Sequence, residues 1–188
     1  MKIKGAEIEE KDKKLFHDLL PILLVFSFGG VFGFIYEELF YLVDLGYLVK
    51  RGTTFGPWIP IYGFGAVLII LCTKHLRKNP VTVFGMSMIL CGCIEFLTGF
   101  VLFHVLRIRL WDYNNEILNW GNVGGYVCAR SVIFFGMSGL FLLYIVYPII
   151  LKMQEKFSEK TFIYVSIIPA GLFGMDIVLS LLRNFFMG

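Results

Sequence analysis

The chain has 188 residues and a net charge of +3, and its composition is strongly apolar. Hydrophobic residues make up 57% and charged residues 16%, against about 45–50% and about 25% in soluble domains. The 20 Phe and 9 Tyr exclude a disordered chain, and four Cys are too few for a secreted disulfide scaffold. The composition therefore predicts a membrane protein.

The chain begins with a charged segment and then becomes apolar. Residues 1–14 contain five Lys and four acids, and Leu19 to Tyr36 then runs without a charge. That stretch is long enough to cross a bilayer and too long for a signal-peptide core. We expect residues 1–16 to form a charged cytoplasmic N-terminal tail and residues 17–188 a helical transmembrane domain.

Five apolar stretches predict about five transmembrane helices in an all-α, polytopic membrane protein with shaped extracellular loops. The expected ranges are 17–43, a helix that begins at Pro60, 80–106, 123–151 and 161–183. Pro57 and Pro60 interrupt the second stretch. Because proline removes a backbone donor and suits only the first turn of a helix, residues 50–59 should form a loop that dips into the membrane.

The basic residues predict the orientation. Eleven of the 17 Lys and Arg fall on the side of the N-terminus, and five fall on the other side. Positive charge is retained on the cytoplasmic side. With an odd number of spans, the N-terminus is cytoplasmic, the C-terminus is outside, and the expected location is the bacterial plasma membrane.

Ionisable residues inside the spans form one expected layer. At 1.5 Å per residue, Glu95 and Asp176 each lie about 22 Å above the inner end of their helix, and Arg130 lies about 20 Å up. Glu37 and Glu38 lie higher still. Such charges are costly against lipid, so they should face inward. Two interpretations remain open: a buried ion pair of Arg130 with Glu95 or Asp176, or a solute site in which the surplus of acids suits a cation or an amine.

Two stretches on the expected outer side carry unusual patterns. Residues 51–63 combine glycines and prolines with Trp58 and Tyr62, and residues 107–122 contain Trp111-Asp112-Tyr113. Glycine and proline specify particular backbone paths, which favours folded caps over the helix ends. The candidate residues for substrate binding or gating are Glu37, Arg51, Trp58, Tyr62, Glu95, Trp111, Asp112, Tyr113, Arg130 and Asp176.

The sequence carries no recognisable motif for ATP hydrolysis, for hydrolytic catalysis or for metal binding. The sequence has no Walker A motif, no zinc-protease motif and no Gly-x-Ser-x-Gly elbow. The four Cys fall within spans, which favours packing over metal binding. We therefore predict no catalytic residue, no metal, no cofactor and no nucleic-acid partner, and an enzyme is the less favoured reading.

The two stretches resemble a family of bacterial membrane proteins, the putative ABC-transporter type IV or CmpB-like family. The resemblance rests on Arg51-Gly52, on residues 56–63, on Glu95, on Trp111-Asp112-Tyr113, and on Asn122 followed by Gly125 and Cys128. It covers roughly residues 37–140. It implies a transporter membrane subunit, and it supplies neither a substrate nor catalytic residues.

Three functions stay open. The first is a transport component of the bilayer, a permease or substrate-binding subunit that takes a small-molecule or cation solute from outside and works with a separate ATPase subunit. The second is a membrane enzyme acting on lipid or isoprenoid substrates, with acid–base chemistry from carboxylates such as Glu37, Glu95 and Asp112. The third is a structural or assembly protein with a buried ion pair.

Overall fold

The structure is a computed structural model that describes the backbone of residues 2–187 and the side chains of residues 13–183. It is all-helical, apart from an isolated bridge between Val123 and Val127. The helices are α1 (Lys2–Leu45), α2 (Pro60–Thr73), α3 (Pro80–Leu106), α4 (Ala129–Phe141), α5 (Tyr147–Lys156) and α6 (Glu159–Met187). A 3₁₀ turn, Lys74–Leu76, extends α2, and a π-helical segment, Leu142–Val146, joins α4 to α5.

The predicted helix starts agree with the structure where proline or a capping residue marks them. Pro60 and Pro80 are each the first residue of their helix. Proline is tolerated there because an amide in the first turn would have no acceptor within the helix. The Asn79 side chain caps α3 by accepting the Val81 and Thr82 amides at 3.1 and 3.3 Å. Arg107, in the left-handed conformation at φ 57°, ends α3 at the predicted residue.

The predicted start of the fourth span at residue 123 is wrong. Residues 123–128 form a tight loop in which the Val123 amide bonds the Val127 carbonyl at 2.9 Å. Gly124 and Gly125 adopt φ of 62° and 78°, which an α-helix cannot contain. The helix begins at Ala129 instead, and Arg130 therefore lies in its first turn rather than deep inside a span.

Four helices in the described part of the chain are long and apolar enough to cross a membrane: Lys13–Leu45, Pro80–Leu106, Ala129–Lys156 and Glu159–Arg183. Pro60–Leu76 is a shorter apolar helix of about 25 Å at 1.5 Å per residue. The prediction of an all-helical polytopic membrane protein is confirmed. The charged segment from Lys2 continues α1 as helix, and its side chains up to residue 12 lie outside the described residues.

Contacts between loops and helix ends show that successive helices alternate in direction. At one end of the bundle the Gln154 amide donates to the His17 carbonyl at 2.8 Å, and the Tyr144 hydroxyl donates to the Arg77 carbonyl at 2.6 Å. At the opposite end lie residues 46–59, here called the first loop, and residues 107–128, here called the second loop.

The first loop enters the bundle instead of lying across its end. The Ile59 amide donates to the Gly30 carbonyl at 3.0 Å, and Gly30 is 15 residues, or about 22 Å, from the end of α1. At this point α1 and α2 pack closely against each other. A Cβ on Gly29 would come within 2.6 Å of the Ala66 Cβ and within 2.8 Å of the Tyr62 carbonyl. Small residues at this crossing therefore let the two backbones approach.

Candidate functional site

Asp176 anchors the first loop to α6. Its carboxylate accepts the Phe55 amide at 2.9 Å, the Gly56 amide at 2.6 Å and the Trp58 indole N–H at 2.6 Å. The Ser180 hydroxyl donates a fourth bond at 3.0 Å. These four donors match the acceptor capacity of a carboxylate, and the side chain is buried. Asp176 thus holds a re-entrant loop in place.

Trp58 belongs to the same anchor. Besides its bond to Asp176, its ring stacks on Phe173 of α6 with the centroids 5.1 Å apart. The Arg183 guanidinium adds a bond to the Thr53 carbonyl at 2.9 Å. The expectation that Asp176 joins Glu95 and Arg130 in one inward-facing polar layer is wrong, because its carboxylate faces the first loop. Trp58 and Asp176 line neither of the two cavities described below.

Glu37 and Arg51 join the first loop to α1. The Arg51 Nε lies 3.2 Å from the Glu37 carboxylate, and both side chains are about four-fifths buried. The Arg51 guanidinium also lies 3.8 Å from the centre of the Tyr41 ring. Its backbone amide donates to Glu38 at 2.8 Å. The acids near the C-terminal end of α1 are therefore occupied by Arg51.

Glu95 holds the second loop and α4 against α3. The Tyr113 hydroxyl donates to one carboxylate oxygen at 2.5 Å, and the Ser131 hydroxyl donates to the other at 2.8 Å. Glu95 is only 5% exposed. Burial, and next the Glu95 carboxylate, raises the pKa of Tyr113 well above its ordinary value. Tyr113 is therefore a protonated donor at physiological pH.

Arg130 pairs with Glu116 of the second loop, at 2.6 Å. The expected ion pair of Arg130 with Glu95 or Asp176 is wrong, because the late start of α4 brings Arg130 level with this loop. The Tyr41 hydroxyl also donates to Glu116, and the guanidinium lies 3.8 Å from the centre of the Phe40 ring. Among the described residues, the buried Nε and Nη1 of Arg130 have no hydrogen-bond partner.

Asp112 shapes the second loop from its outer side. It accepts the Asn114 amide at 3.0 Å and pairs with Arg109 at 3.0 Å. Arg109 in turn donates to the Gly124 carbonyl at 3.0 Å. Asp112 lines neither cavity, so its contacts favour a role in loop geometry.

Seven of the predicted residues surround one small cavity, here called the polar cavity. They are Glu37, Arg51, Tyr62, Glu95, Trp111, Tyr113 and Arg130. The cavity measures about 30 Å³, which suits one or two water molecules and no larger solute. Its carboxylates accept from Arg51, Arg130 and the hydroxyl groups of three residues, so among the described residues the surplus of acids inferred from the sequence offers no free cation site there.

A much larger space adjoins it, here called the large cavity. It measures about 560 Å³ and lies between α2, α3 and α6 at the end of the bundle that carries both loops. Phe64, Ile94, Leu102, Ile177 and Leu181 supply apolar walls, and Lys50, Arg51 and Glu37 lie on its loop side. Glu37, Arg51, Ile61 and Trp111 line both cavities.

The sequence reasoning missed several residues of this region. Lys50 was used only as a topology charge, and Glu116, Tyr41 and Ser131 were not singled out. No periodic pattern marks a lone acid in a loop or a hydroxyl at a helix start. The sequence did offer one indication of Glu116: a buried Arg130 requires a carboxylate partner, and Glu116 is an acid in the adjacent loop. In residues 13–183, no group of three or more His, Cys, Asp or Glu is placed to hold a metal ion.

Comparison with known proteins places these features in one family. A family model described as Putative ABC-transporter type IV matches residues 24–181, which includes both loops and every residue that lines the two cavities. No match was found among curated proteins or among solved structures.

Proposed function

This chain belongs to the family described as Putative ABC-transporter type IV, and we propose that it is the membrane-embedded substrate-binding or permease component of a transport system. It takes a small-molecule solute from the extracellular side into the large cavity. The observation that carries this proposal is the cavity of about 560 Å³ beside the two loops. Ligand pockets in proteins typically measure about 300–1,000 Å³, whereas the polar cavity is too small for a solute.

The residues predicted from the sequence take different roles in this proposal. Arg51, Glu37 and Trp111 stand between the two cavities and contact the solute. Tyr62, Glu95, Tyr113 and Arg130 support them from the polar cavity. Trp58 and Asp176 fix the first loop, and Asp112 fixes the second. The two loops then act as a lid whose position depends on the buried carboxylates.

A transport component of this kind needs a source of energy. The chain contains no Walker A motif, so a separate ATPase subunit supplies the hydrolysis. Under the predicted orientation, this subunit meets the end of the bundle that holds His17, Arg77 and Gln154. The protein is then a multi-pass component of a bacterial plasma membrane.

A second candidate function is a membrane enzyme that acts on lipid or isoprenoid substrates. The observation that favours it is the apolar wall of the large cavity together with one carboxylate, Glu37, on its loop side. An enzyme would use Glu37 as an acid or base. However, Glu37 is paired with Arg51 at 3.2 Å, and a carboxylate held in an ion pair is a weaker base. The transport proposal is therefore the stronger one.

Native mass spectrometry of the gently purified protein tests the proposal. Thr98 lines the large cavity, so Thr98→Trp places a bulky ring inside it, whereas Thr82→Trp makes the same change at an exposed position of α3. We expect the wild type and Thr82→Trp to carry the same small-molecule mass, and Thr98→Trp to lose it while remaining folded. Ligand-free wild type, or a ligand retained by Thr98→Trp, would overturn the proposal. A ligand mass converted to a product mass on incubation would favour the enzyme.

A further inference from the structure

The walls of the large cavity differ between its two ends, and this difference identifies a class of ligand. We propose that the ligand is an amphiphile of the surrounding bilayer, with one hydrocarbon chain between α3 and α6 and an anionic head at Lys50 and Arg51. This inference rests on the proposed function, because it names the substrate class of the same cavity.

The hydrocarbon part of the argument comes from the helices. Ile94 and Leu102 of α3 face the cavity across from Ile177 and Leu181 of α6. α3 packs on α2 and α4, and α6 packs on α1, so the start of α2 forms the wall between them. A fully polar solute would lose its hydrogen bonds to water along such walls at a high cost. A hydrocarbon chain loses none.

The large cavity is also open toward the hydrocarbon layer. Phe64 of α2, which lines it, is 57% exposed, and Leu181 of α6 is 65% exposed. Phe64 lies in the shorter apolar helix Pro60–Leu76, and Leu181 lies in the candidate span Glu159–Arg183. An exposed apolar lining within a membrane-spanning region meets lipid, so a chain can enter from the bilayer without crossing water.

The charges at the loop side identify the head. Lys50 and Arg51 line the cavity there against one carboxylate, Glu37. The Lys50 ammonium bonds only the Phe55 carbonyl among the described residues, at 3.3 Å, and Arg51 uses Nε for Glu37. The Lys50 ammonium and the guanidinium nitrogens of Arg51 that do not bond Glu37 suit an anionic head such as phosphate or carboxylate.

The head, rather than the chain, should decide selectivity. A hydrocarbon chain that moves from the bilayer into the cavity exchanges one apolar environment for another, so chain burial adds little affinity. The attraction between the anionic head and the two cations is then the main difference between ligands. Removing one cation near a membrane surface should weaken binding about fivefold.

Tryptophan quenching tests this inference, because Trp111 lines the large cavity. The protein is placed in nanodiscs of zwitterionic phosphatidylcholine. The probes are 9,10-dibromostearate and the same brominated chain carrying a trimethylammonium head. We expect the anionic probe to quench a signal that is absent from Trp111→Phe. The cationic probe should need a far higher concentration, and acetate should compete poorly.

Charge variants complete the test. Lys50→Gln should raise the half-saturating concentration of the anionic probe about fivefold, while Arg107→Gln, at the end of α3 and outside the cavity lining, should leave it unchanged. Equal quenching by both probes would overturn the anionic head. Absence of Trp111 quenching, or equal competition by acetate, would overturn the amphiphile. A ligand mass that depends on Thr98 would still support the proposed function in those cases.

Discussion

At the scale of single residues, Glu95 illustrates how a buried carboxylate can be stabilised without an ion pair. Two neutral hydroxyl donors, from Tyr113 and Ser131, satisfy it, and they come from different segments of the chain. The carboxylate therefore joins α3, the second loop and the start of α4. This geometry assigns Glu95 a positioning role, with the loop as the element it positions.

A double-mutant cycle tests the bond between Glu95 and Tyr113. Glu95→Leu leaves a buried hydroxyl without its acceptor and should lower the free energy of unfolding by about 1–2 kcal/mol. Tyr113→Phe should also destabilise, because the carboxylate then keeps one donor. The double variant should be more stable than the sum of the two losses predicts, since both partners of the bond are removed together and the Ser131 hydroxyl keeps the Cys128 carbonyl as an acceptor at 2.8 Å. Thermal unfolding in nanodiscs measures all four proteins, and strictly additive losses would show that the two side chains do not interact.

At the scale of elements, the first loop enters the helix bundle, and its position depends on side chains of another helix. Its backbone amides at Phe55 and Gly56 find their acceptor in Asp176. Irregular backbone at membrane depth is tolerated only where protein satisfies its polar groups. Asp176 provides that satisfaction.

Replacing the Asp176 carboxylate should therefore loosen the first loop and leave the second loop unchanged. Asp176→Asn replaces an acceptor oxygen with a donor, so the three loop N–H groups and the Ser180 hydroxyl are left with one side-chain oxygen as acceptor. We expect faster hydrogen exchange at residues 53–58 and little change at residues 112–115. Asp112→Asn is the matched control, since Asp112 accepts a backbone amide in the second loop. It should accelerate exchange only there, and a uniform response in either variant would contradict the separate roles.

At the scale of the whole molecule, alternating helices place both loops, both cavities and all ten predicted candidates toward one end of the bundle. The opposite end carries the contacts of His17 and Arg77. The segments at that end hold most of the basic residues. The positive-inside rule therefore predicts that the loop end faces outward.

Thiol labelling in intact cells tests this orientation. In a variant without the four native Cys, Asn115→Cys places a thiol at an exposed position of the second loop, and Glu155→Cys places one at an exposed position near the end of α5. A membrane-impermeant maleimide should label the first and spare the second until the cells are opened. The reverse pattern would show that the cavities face the cytoplasm, and the extracellular uptake in the proposed function would be wrong.

Sequence alone determined the features that depend on local pattern. Apolar length predicted the helices, including the start of α3 at residue 80, and proline predicted where α2 begins. Residues 51–63 and Trp111-Asp112-Tyr113 carried the family resemblance, which the match over residues 24–181 confirms. Seven of the ten candidate residues border the polar cavity; Glu37 and Glu95 do so because charges inside apolar helices must face inward, and the others belong to the two loops or to the helix starts beside them.

Only the tertiary structure decided the partners of those charges. Arg130 bonds Glu116 rather than Glu95, and Asp176 bonds the first loop, because two glycines at positive φ delay the start of α4 and a re-entrant loop brings backbone amides to α6. The large cavity likewise follows from the packing of α3 on α2 and of α6 on α1, which leaves space between α3 and α6. Pairing and cavity volume depend on distances between segments far apart in the chain, and periodicity and composition carry no information about those distances.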